Sequence, residues 1–118
     1  MKNITIYHNA RCSKSRETLA LVEKEAALEN IEIIKYLETP PSPETIKGLL
    51  TQLGYESARQ LMRTKEALYK ELNLGDEKNE VALIKAMHEN PKLIERPIVV
   101  ANGKAAVGRP PESVLAIL

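Results

Sequence analysis

A strand, a helix and a second strand are predicted within the first 36 residues, and this order constrains the fold more than any other feature of the chain. Residues Ile4 to Tyr7 form a short alternating run that is typical of a β-strand. Apolar residues recur at helical spacing from Glu17 to Leu28, and a second alternation follows from Glu32 to Tyr36. Two strands joined by one helix indicate a right-handed βαβ unit with parallel strands.

The middle of the chain is predicted to be helical. Ser42 followed by Pro43 is a typical helix start, since serine is a good N-cap and proline suits the first helical position. Gly54 is expected to end that helix. Residues Ser57 to Asn90 keep a helical composition that is interrupted near Asn73-Leu74-Gly75, so two or three short helices are expected there.

The C-terminal third is predicted to form a hairpin and a closing helix. Pro97 precedes the β-branched run Ile98 to Ala101, and Asn102-Gly103 is a strong signal for a tight hairpin turn. The return strand is expected over Lys104 to Val107, and the closing helix over Glu112 to Leu118. The chain of 118 residues is therefore expected to be one α/β domain, with a helical insertion at about 42–95 between the second and third strands.

Cys12, the only cysteine, lies at the first junction between a strand and a helix. The first N–H groups of a helix lack intrahelical partners and carry the positive end of its dipole, so they stabilise an anion or a thiolate. Ser15 stands where a dithiol motif has its second cysteine, and its hydroxyl could donate to the thiolate. The surrounding loop adds the positive charges of Arg11, Lys14 and Arg16. These residues suggest a nucleophilic thiolate beside an oxyanion pocket.

The alternative interpretation is that Cys12 is a small buried apolar residue. Its polar and basic neighbours favour the reactive interpretation. A single cysteine excludes an internal disulfide, so any disulfide formed in a reaction cycle needs a second thiol from outside the chain.

Composition argues against several classes of function. The 17 basic residues are nearly balanced by 16 acidic ones, so no nucleic-acid surface is expected. No apolar run approaches the length that spans a membrane, and the chain enters its first strand without a leader pattern, so a cytoplasmic protein is expected. The two histidines offer no zinc ligand set, so no metal is expected, and His88 is expected to lie at the surface.

Four motifs in this order resemble those of the glutaredoxin-dependent arsenate reductases. They are His8-Asn9-x-x-Cys12, Tyr36-Leu37-Glu38-Thr39-Pro40-Pro41, Leu93-Ile94-x-Arg96-Pro97-Ile98-Val99-Val100 and Gly108-Arg109-Pro110. The resemblance runs from Ile4 to Leu118 and implies a thioredoxin-like fold with a mixed four-stranded sheet. The chain ends at Leu118, shortly after the predicted closing helix begins, so a short family member without a C-terminal extension is expected.

The resemblance also implies a role for each site residue. Cys12 would be the nucleophile that attacks arsenate, and His8 would favour its thiolate electrostatically. Three arginines would hold the oxyanion and its thiol adduct, and they correspond here to Arg63, Arg96 and Arg109. Arginine suits this task because its charged guanidinium matches two oxygens of a tetrahedral oxyanion. Each arginine could instead be an ordinary solvated charge.

The remaining implications concern co-substrates and the backbone. Glutathione would attack the adduct and glutaredoxin would reduce the mixed product to release arsenite, so no bound cofactor is needed. The peptide bond before Pro97 would be cis.

Two other functions stay open. A monothiol enzyme that removes glutathione from protein thiols would also need Cys12. Spx-type transcription regulators share the implied fold and bind RNA polymerase, but they usually carry Cys-x-x-Cys, whereas Ser15 replaces the second cysteine here.

Overall fold

A computed structural model describes residues 3–118 and contains a mixed four-stranded sheet. The sheet is formed by β1 (Ile4–His8), β2 (Ile31–Lys35), β3 (Ile98–Ala101) and β4 (Lys104–Val107), in the order β2-β1-β3-β4. Strand β1 pairs with β2 in parallel and with β3 in antiparallel. Strands β3 and β4 pair in antiparallel. The predicted parallel pair and hairpin are therefore confirmed.

Helix α1 (Ser13–Glu25) connects the two parallel strands. It begins four residues before the predicted start at Glu17 and ends before Leu28, because Ala26 is already extended and a 3-10 turn follows at Leu28–Asn30. The predicted boundaries of this helix were wrong, since its first turn is polar and lacks the apolar spacing on which the prediction relied. Strand β2 is shifted by one residue from the prediction.

The hairpin between β3 and β4 has the predicted bounds. Its two turn residues, Asn102 and Gly103, have φ angles of 53° and 76°. Positive φ at both central residues is the backbone that a type I′ turn requires, and asparagine and glycine tolerate it best. The Asn102 side-chain amide also donates to the Ile117 carbonyl at 2.9 Å, which ties the turn to the end of the chain.

The closing segment is a 3-10 helix at Pro111–Ile117, whereas an ordinary helix over Glu112 to Leu118 was expected. It completes the core of the first of two compact units, which comprises the described residues up to Thr39 together with Arg96–Leu118. That core joins apolar residues of the sheet to Val22 of α1 and Val114 of the closing segment. The sheet contributes Ile4, Ile6, Ile31, Val99 and Ala101.

The second unit, Pro40–Glu95, corresponds to the predicted helical insertion. It contains α2 (Pro43–Leu53), α3 (Ala67–Glu71) and α4 (Glu80–Glu89), with 3-10 turns at Ala58–Leu61, Leu74–Asp76 and Pro91–Leu93. Within residues 3–118, no helix is both long and apolar enough to span a bilayer.

Helix α2 starts and stops where the sequence predicts. The Ser42 hydroxyl accepts the backbone N–H of Thr45 at 3.1 Å, and Pro43 occupies the first helical position. Gly54 ends the helix in the left-handed conformation with φ of 75°. Nearby, a ring nitrogen of His88 lies 2.9 Å from the Pro41 carbonyl, and the residue is half-buried, whereas a surface residue was expected.

Arg59 organises the irregular part of the second unit. Its guanidinium donates to the Tyr69 hydroxyl, to the Leu74 carbonyl at 2.9 Å and to the Glu77 carbonyl. One charged side chain thus donates to a hydroxyl and to two backbone carbonyl groups at and beside the 3-10 turn Leu74–Asp76. Arg59 therefore stabilises the segment between α2 and α4.

Candidate active site

Cys12 is the N-cap residue of α1, so its thiol lies at the start of the helix. Its backbone N–H donates to the Asn9 carbonyl and its carbonyl accepts from the Arg16 N–H, both at 3.0 Å. Its side chain is half-buried. The predicted placement of Cys12 at a strand-helix junction is confirmed.

The surroundings of Cys12 favour its thiolate. Burial by itself raises the pKa of the thiol, because the charged form loses water. That effect is outweighed by the Ser15 backbone N–H, the positive charge of Arg96, the Lys14 backbone N–H and the Ser15 hydroxyl. The net result is a pKa below the ordinary value of a cysteine, as expected for a thiol at a helix N-terminus.

Ser15 is fully buried in the first turn of α1. Its oxygen accepts the backbone N–H of Asn9 at 3.3 Å. Because that interaction uses a lone pair, the hydroxyl proton stays available to the Cys12 sulfur, and it contributes to the lowered pKa. Ser15 thus connects the loop after β1 to the thiol.

We predict that Ser15→Ala raises the pKa of Cys12, whereas Ser13→Ala leaves that pKa unchanged. Ser15 is buried beside the sulfur, whereas Ser13 is exposed in the same helical turn. The rate of alkylation by iodoacetamide, followed against pH, reports the thiolate fraction. The alkylation rate falls as the pH decreases and the thiolate is protonated. In the wild-type protein this fall is expected at a lower pH than for a free cysteine. A profile of Ser15→Ala that coincides with wild type would contradict the hydroxyl's role.

Arg109 directly contacts the candidate nucleophile. Its Nη2 lies 3.7 Å from the Cys12 sulfur, and its Nε donates to the Arg96 carbonyl at 2.8 Å. The second bond orients the guanidinium, which is otherwise exposed. Arg109 can therefore contact an anion at the sulfur without first being ordered by it.

Arg96 lies two residues before β3. Its charge is the second largest influence that lowers the pKa of Cys12. Its Nε is buried and has no hydrogen-bond partner among residues 3–118. A buried donor without a partner is unfavourable, and an oxyanion next to it would supply the acceptor. The Arg96–Pro97 peptide bond is cis, as the resemblance implies, and so is Arg109–Pro110.

His8 is buried at the end of β1. Burial lowers the pKa of the imidazole, and the charges of Lys35 and Arg16 lower it further, although Glu23 raises it. His8 is not among the groups that lower the pKa of Cys12. A lowered pKa reduces the charged fraction of the ring, so it weakens the electrostatic support that the resemblance implies. The support of the thiolate by His8 stays a prediction.

Arg63 belongs to the second unit and is not helical, contrary to one interpretation of its sequence. It follows the isolated β-bridge between Met62 and Ile94. Its guanidinium pairs with the carboxylates of Glu66 at 3.0 Å and Glu95 at 3.8 Å. Its role in binding the oxyanion stays a prediction.

No metal site accompanies these residues. In the part of the chain that the structure describes, no three or more His, Cys, Asp or Glu side chains are grouped so as to hold a metal ion.

Comparison with known proteins gives a consistent family. The model of the ArsC family matches residues 7–117. The chain belongs to the ArsC family. An uncharacterised protein of Escherichia coli (strain K12), YfgD, is 63% identical over 118 residues, covering 99% of this chain and 98% of that protein. An arsenate reductase of Neisseria meningitidis is 50% identical over 119 residues, covering 100% of both chains.

A solved ArsC structure confirms the fold. The structure described as an arsenate reductase from Vibrio cholerae has a TM-score of 0.93 and 60% sequence identity, and covers 98% of this chain and 97% of its own. The predicted thioredoxin-like α/β fold and the predicted family are therefore confirmed.

The structure of this ArsC chain also gives Arg16 a role at the site that the sequence motifs did not predict. Arg16 Nη1 donates to the Ala10 carbonyl at 2.8 Å and so braces the loop that carries Cys12. The signal was present in the sequence, because Arg16 stands one helical turn after Cys12. The sequence suggested only that it adds positive charge.

Gly108 is a second residue of this kind. A Cβ at this position would overlap the side chain of Thr18, which is fully buried in α1, and would lie 2.9 Å from Cγ of Pro97. The Gly108 N–H also donates to the Pro97 carbonyl at 2.9 Å. Glycine is therefore needed here for close approach between the β4 end, α1 and the segment that carries Arg96.

We predict that Gly108→Ala destabilises the ArsC fold by about 1–3 kcal/mol, the usual cost of overpacking. Gly48→Ala is the matched control, because its Cβ would have no atom within 4 Å and it lies inside α2. Alanine there should stabilise by about 0.5–1 kcal/mol. Urea denaturation measures both changes. The double variant Gly108→Ala/Thr18→Ala should recover part of the loss, and no recovery would contradict the assigned overlap.

Proposed function

We propose that this protein reduces arsenate to arsenite, with Cys12 as nucleophile and with glutathione and glutaredoxin as external thiols. The observation that carries the proposal is a thiol of lowered pKa with Arg109 at 3.7 Å and Arg96 holding an unpartnered buried donor. The relative named as an arsenate reductase at 50% identity supports the same reaction. A monothiol enzyme that acts on glutathione adducts would not need Arg96 and Arg109 beside its thiol, so these two arginines favour an oxyanion substrate.

The arginines answer an electrostatic problem in this reaction. Arsenate is an anion near neutral pH, and it must approach an anionic sulfur. Two guanidinium groups offset that repulsion and offer paired N–H donors to the oxygens of a tetrahedral oxyanion. Their charge is held in place before the substrate arrives, because Arg109 is already bonded to the Arg96 carbonyl.

The reaction is proposed to proceed in three exchanges. The Cys12 sulfur attacks arsenic, an S–As bond forms, and one oxygen leaves as water after protonation. The sulfur of glutathione then attacks arsenic, and a second oxygen leaves as water after protonation. A glutaredoxin thiolate attacks the glutathione sulfur, and the bond from that sulfur to arsenic breaks with its electron pair left on arsenic. The two thiols supply the two electrons that reduce As(V) to As(III) and leave as a mixed disulfide. Water then hydrolyses the remaining bond between Cys12 sulfur and As(III), which releases arsenite and the Cys12 thiol.

This scheme needs no bound cofactor, because the external thiols supply both electrons. It suits a cytoplasmic location, where thiols are kept reduced. Arg63 is proposed as the third oxyanion ligand on the basis of the family resemblance alone.

A coupled assay tests the proposal. NADPH consumption is followed with purified protein, arsenate, glutathione, glutathione reductase and glutaredoxin. Turnover is expected to require arsenate, glutathione and glutaredoxin each. Phosphate, which has the same shape but is not reduced by thiols, should inhibit competitively without supporting turnover.

The assay also separates the alternatives. A folded protein that shows no arsenate-dependent turnover, but whose Cys12 reacts rapidly with oxidised glutathione, would point to a monothiol enzyme acting on another substrate. Recovery of RNA polymerase with the protein, together with absent turnover, would point to a regulator.

A further inference from the structure

A cavity of about 280 Å³ lies beside the loop that carries Cys12 and is separate from the proposed oxyanion ligands. Residues 8–11, at the end of β1 and just beyond it, form one side, and Lys35, Leu37 and Glu38 form the other. Because β1 and β2 are parallel, their carboxyl ends lie at the same edge of the sheet. In α/β proteins this edge is where small ligands commonly bind.

The charges around this cavity are complementary to a zwitterion. Arg11 and Lys35 supply two cations and Glu38 one carboxylate, and all three side chains are exposed. None of them takes part in a salt bridge within residues 3–118. The cations can bind a carboxylate and Glu38 an ammonium group. Leu37, which is 44% exposed, offers an apolar contact for methylene groups between them.

The cavity is close to the thiol without containing it. Asn9 lines the cavity, and its carbonyl accepts the backbone N–H of Cys12 at 3.0 Å. Cys12 itself does not line the wall. A ligand whose zwitterion occupied the cavity could present a sulfur to Cys12 only across a spacer, and one extended residue spans about 3.3–3.6 Å. Glutathione has this form, because its γ-glutamyl group separates an amino-acid zwitterion from the cysteine thiol.

We propose that this cavity binds the γ-glutamyl end of glutathione. Arg11 and Lys35 bind its carboxylate, and Glu38 binds its ammonium group. The inference rests on the proposed function, in which glutathione is the second thiol. It adds the recognition site that directs the glutathione sulfur toward the Cys12 adduct.

Titration with S-methylglutathione, followed by NMR of the histidine rings, tests the site without any turnover. The chain has two histidines. His8 lines the cavity and senses the charge of Lys35, whereas His88 bonds to the Pro41 carbonyl in the second unit and serves as the reference. The His8 signals are expected to shift saturably and the His88 signals to stay unchanged. N-acetyl-S-methylcysteine, which has no ammonium group, should produce no saturable shift at the same concentration.

Charge-removing variants locate the interaction. Lys35→Gln and Glu38→Gln are each expected to weaken binding by about fivefold, which is typical of one exposed ion pair. Lys104→Gln and Glu29→Gln remove exposed charges elsewhere in the same unit and should bind as wild type. Absence of a saturable His8 shift would overturn the site, as would unchanged affinity in both cavity variants.

The titration contains no arsenate, so the two proposals fail separately. Binding without arsenate turnover would overturn the proposed reaction and keep the glutathione site. Arsenate turnover without this binding would overturn the site and keep the reaction.

Discussion

Cys12→Ser is expected to lower arsenate-dependent NADPH consumption by about a thousandfold or more, which is typical of removing an enzyme's nucleophile. A serine hydroxyl does not ionise near neutral pH, so the N–H groups and the arginine charge that favour the thiolate have no anion to stabilise. The substitution changes one atom at a half-buried N-cap. Because serine is itself a good N-cap, the fold should be retained.

Two measurements keep this result interpretable. Urea denaturation of Cys12→Ser should give a stability close to that of wild type, which separates loss of chemistry from loss of structure. Ser13→Ala, an exposed change in the adjacent residue, should keep full turnover. Turnover by a folded Cys12→Ser protein near the wild-type rate would contradict the nucleophile assignment.

Arg109→Ala and Arg96→Ala are each expected to lower kcat/KM for arsenate by about a hundredfold, the usual effect of removing one donor that stabilises developing charge. Arg109 contacts the sulfur at 3.7 Å, and Arg96 has a buried donor with no partner. Lysine at either position should recover only part of the rate, because an ammonium group lacks the paired donors of a guanidinium.

The assay for these variants must hold the thiolate fraction constant. Arg96 lowers the pKa of Cys12, so Arg96→Ala should raise that pKa as well as weaken oxyanion binding. The rates of all variants are therefore compared at a pH above the pKa of Cys12 in each of them. Lys104→Ala on β4 removes an exposed charge and is the control. Unchanged kcat/KM in Arg109→Ala or Arg96→Ala would contradict the role of that arginine in binding the oxyanion. Arg63→Ala in the same series tests the third predicted ligand.

Several elements were predictable because their signals are local. Ser42, Pro43 and Gly54 bound α2, since capping and left-handed backbone depend on a residue and its immediate neighbours. The hairpin at Asn102-Gly103 was predictable for the same reason, because its turn needs positive φ. The parallel pairing of β1 and β2 followed from the strand-helix-strand order of a βαβ unit.

Predictions that relied on apolar spacing were weaker at the ends of elements. The first turn of α1 is polar, so the spacing missed it and placed the helix start four residues late. The closing segment was predicted as an ordinary helix and is a 3-10 helix that begins at Pro111. In both cases backbone hydrogen bonding, and not side-chain periodicity, sets the boundary.

The candidate site divides along the same line. The sequence by itself determined that a lone thiol stands at the start of a helix after a strand, because neighbouring residues and covalent order establish that position. The sequence also indicated the family through the motifs that contain Cys12, Arg96 and Arg109. Only the tertiary structure decided that Arg109 contacts the sulfur while it is bonded to the Arg96 carbonyl. It also decided that Thr18 and Pro97 approach Gly108 so closely that a Cβ there would overlap them.

The structure also decided the direction in which the pKa of His8 shifts, which its sequence position left open. Burial and the cations of Lys35 and Arg16 lower the pKa of its ring, and those cations come from other elements of the first unit. Contacts between residues far apart in the chain depend on how the elements pack, and a pKa depends on burial and on every nearby charge. Local sequence therefore determined where the nucleophile stands, and packing decided which charges surround it.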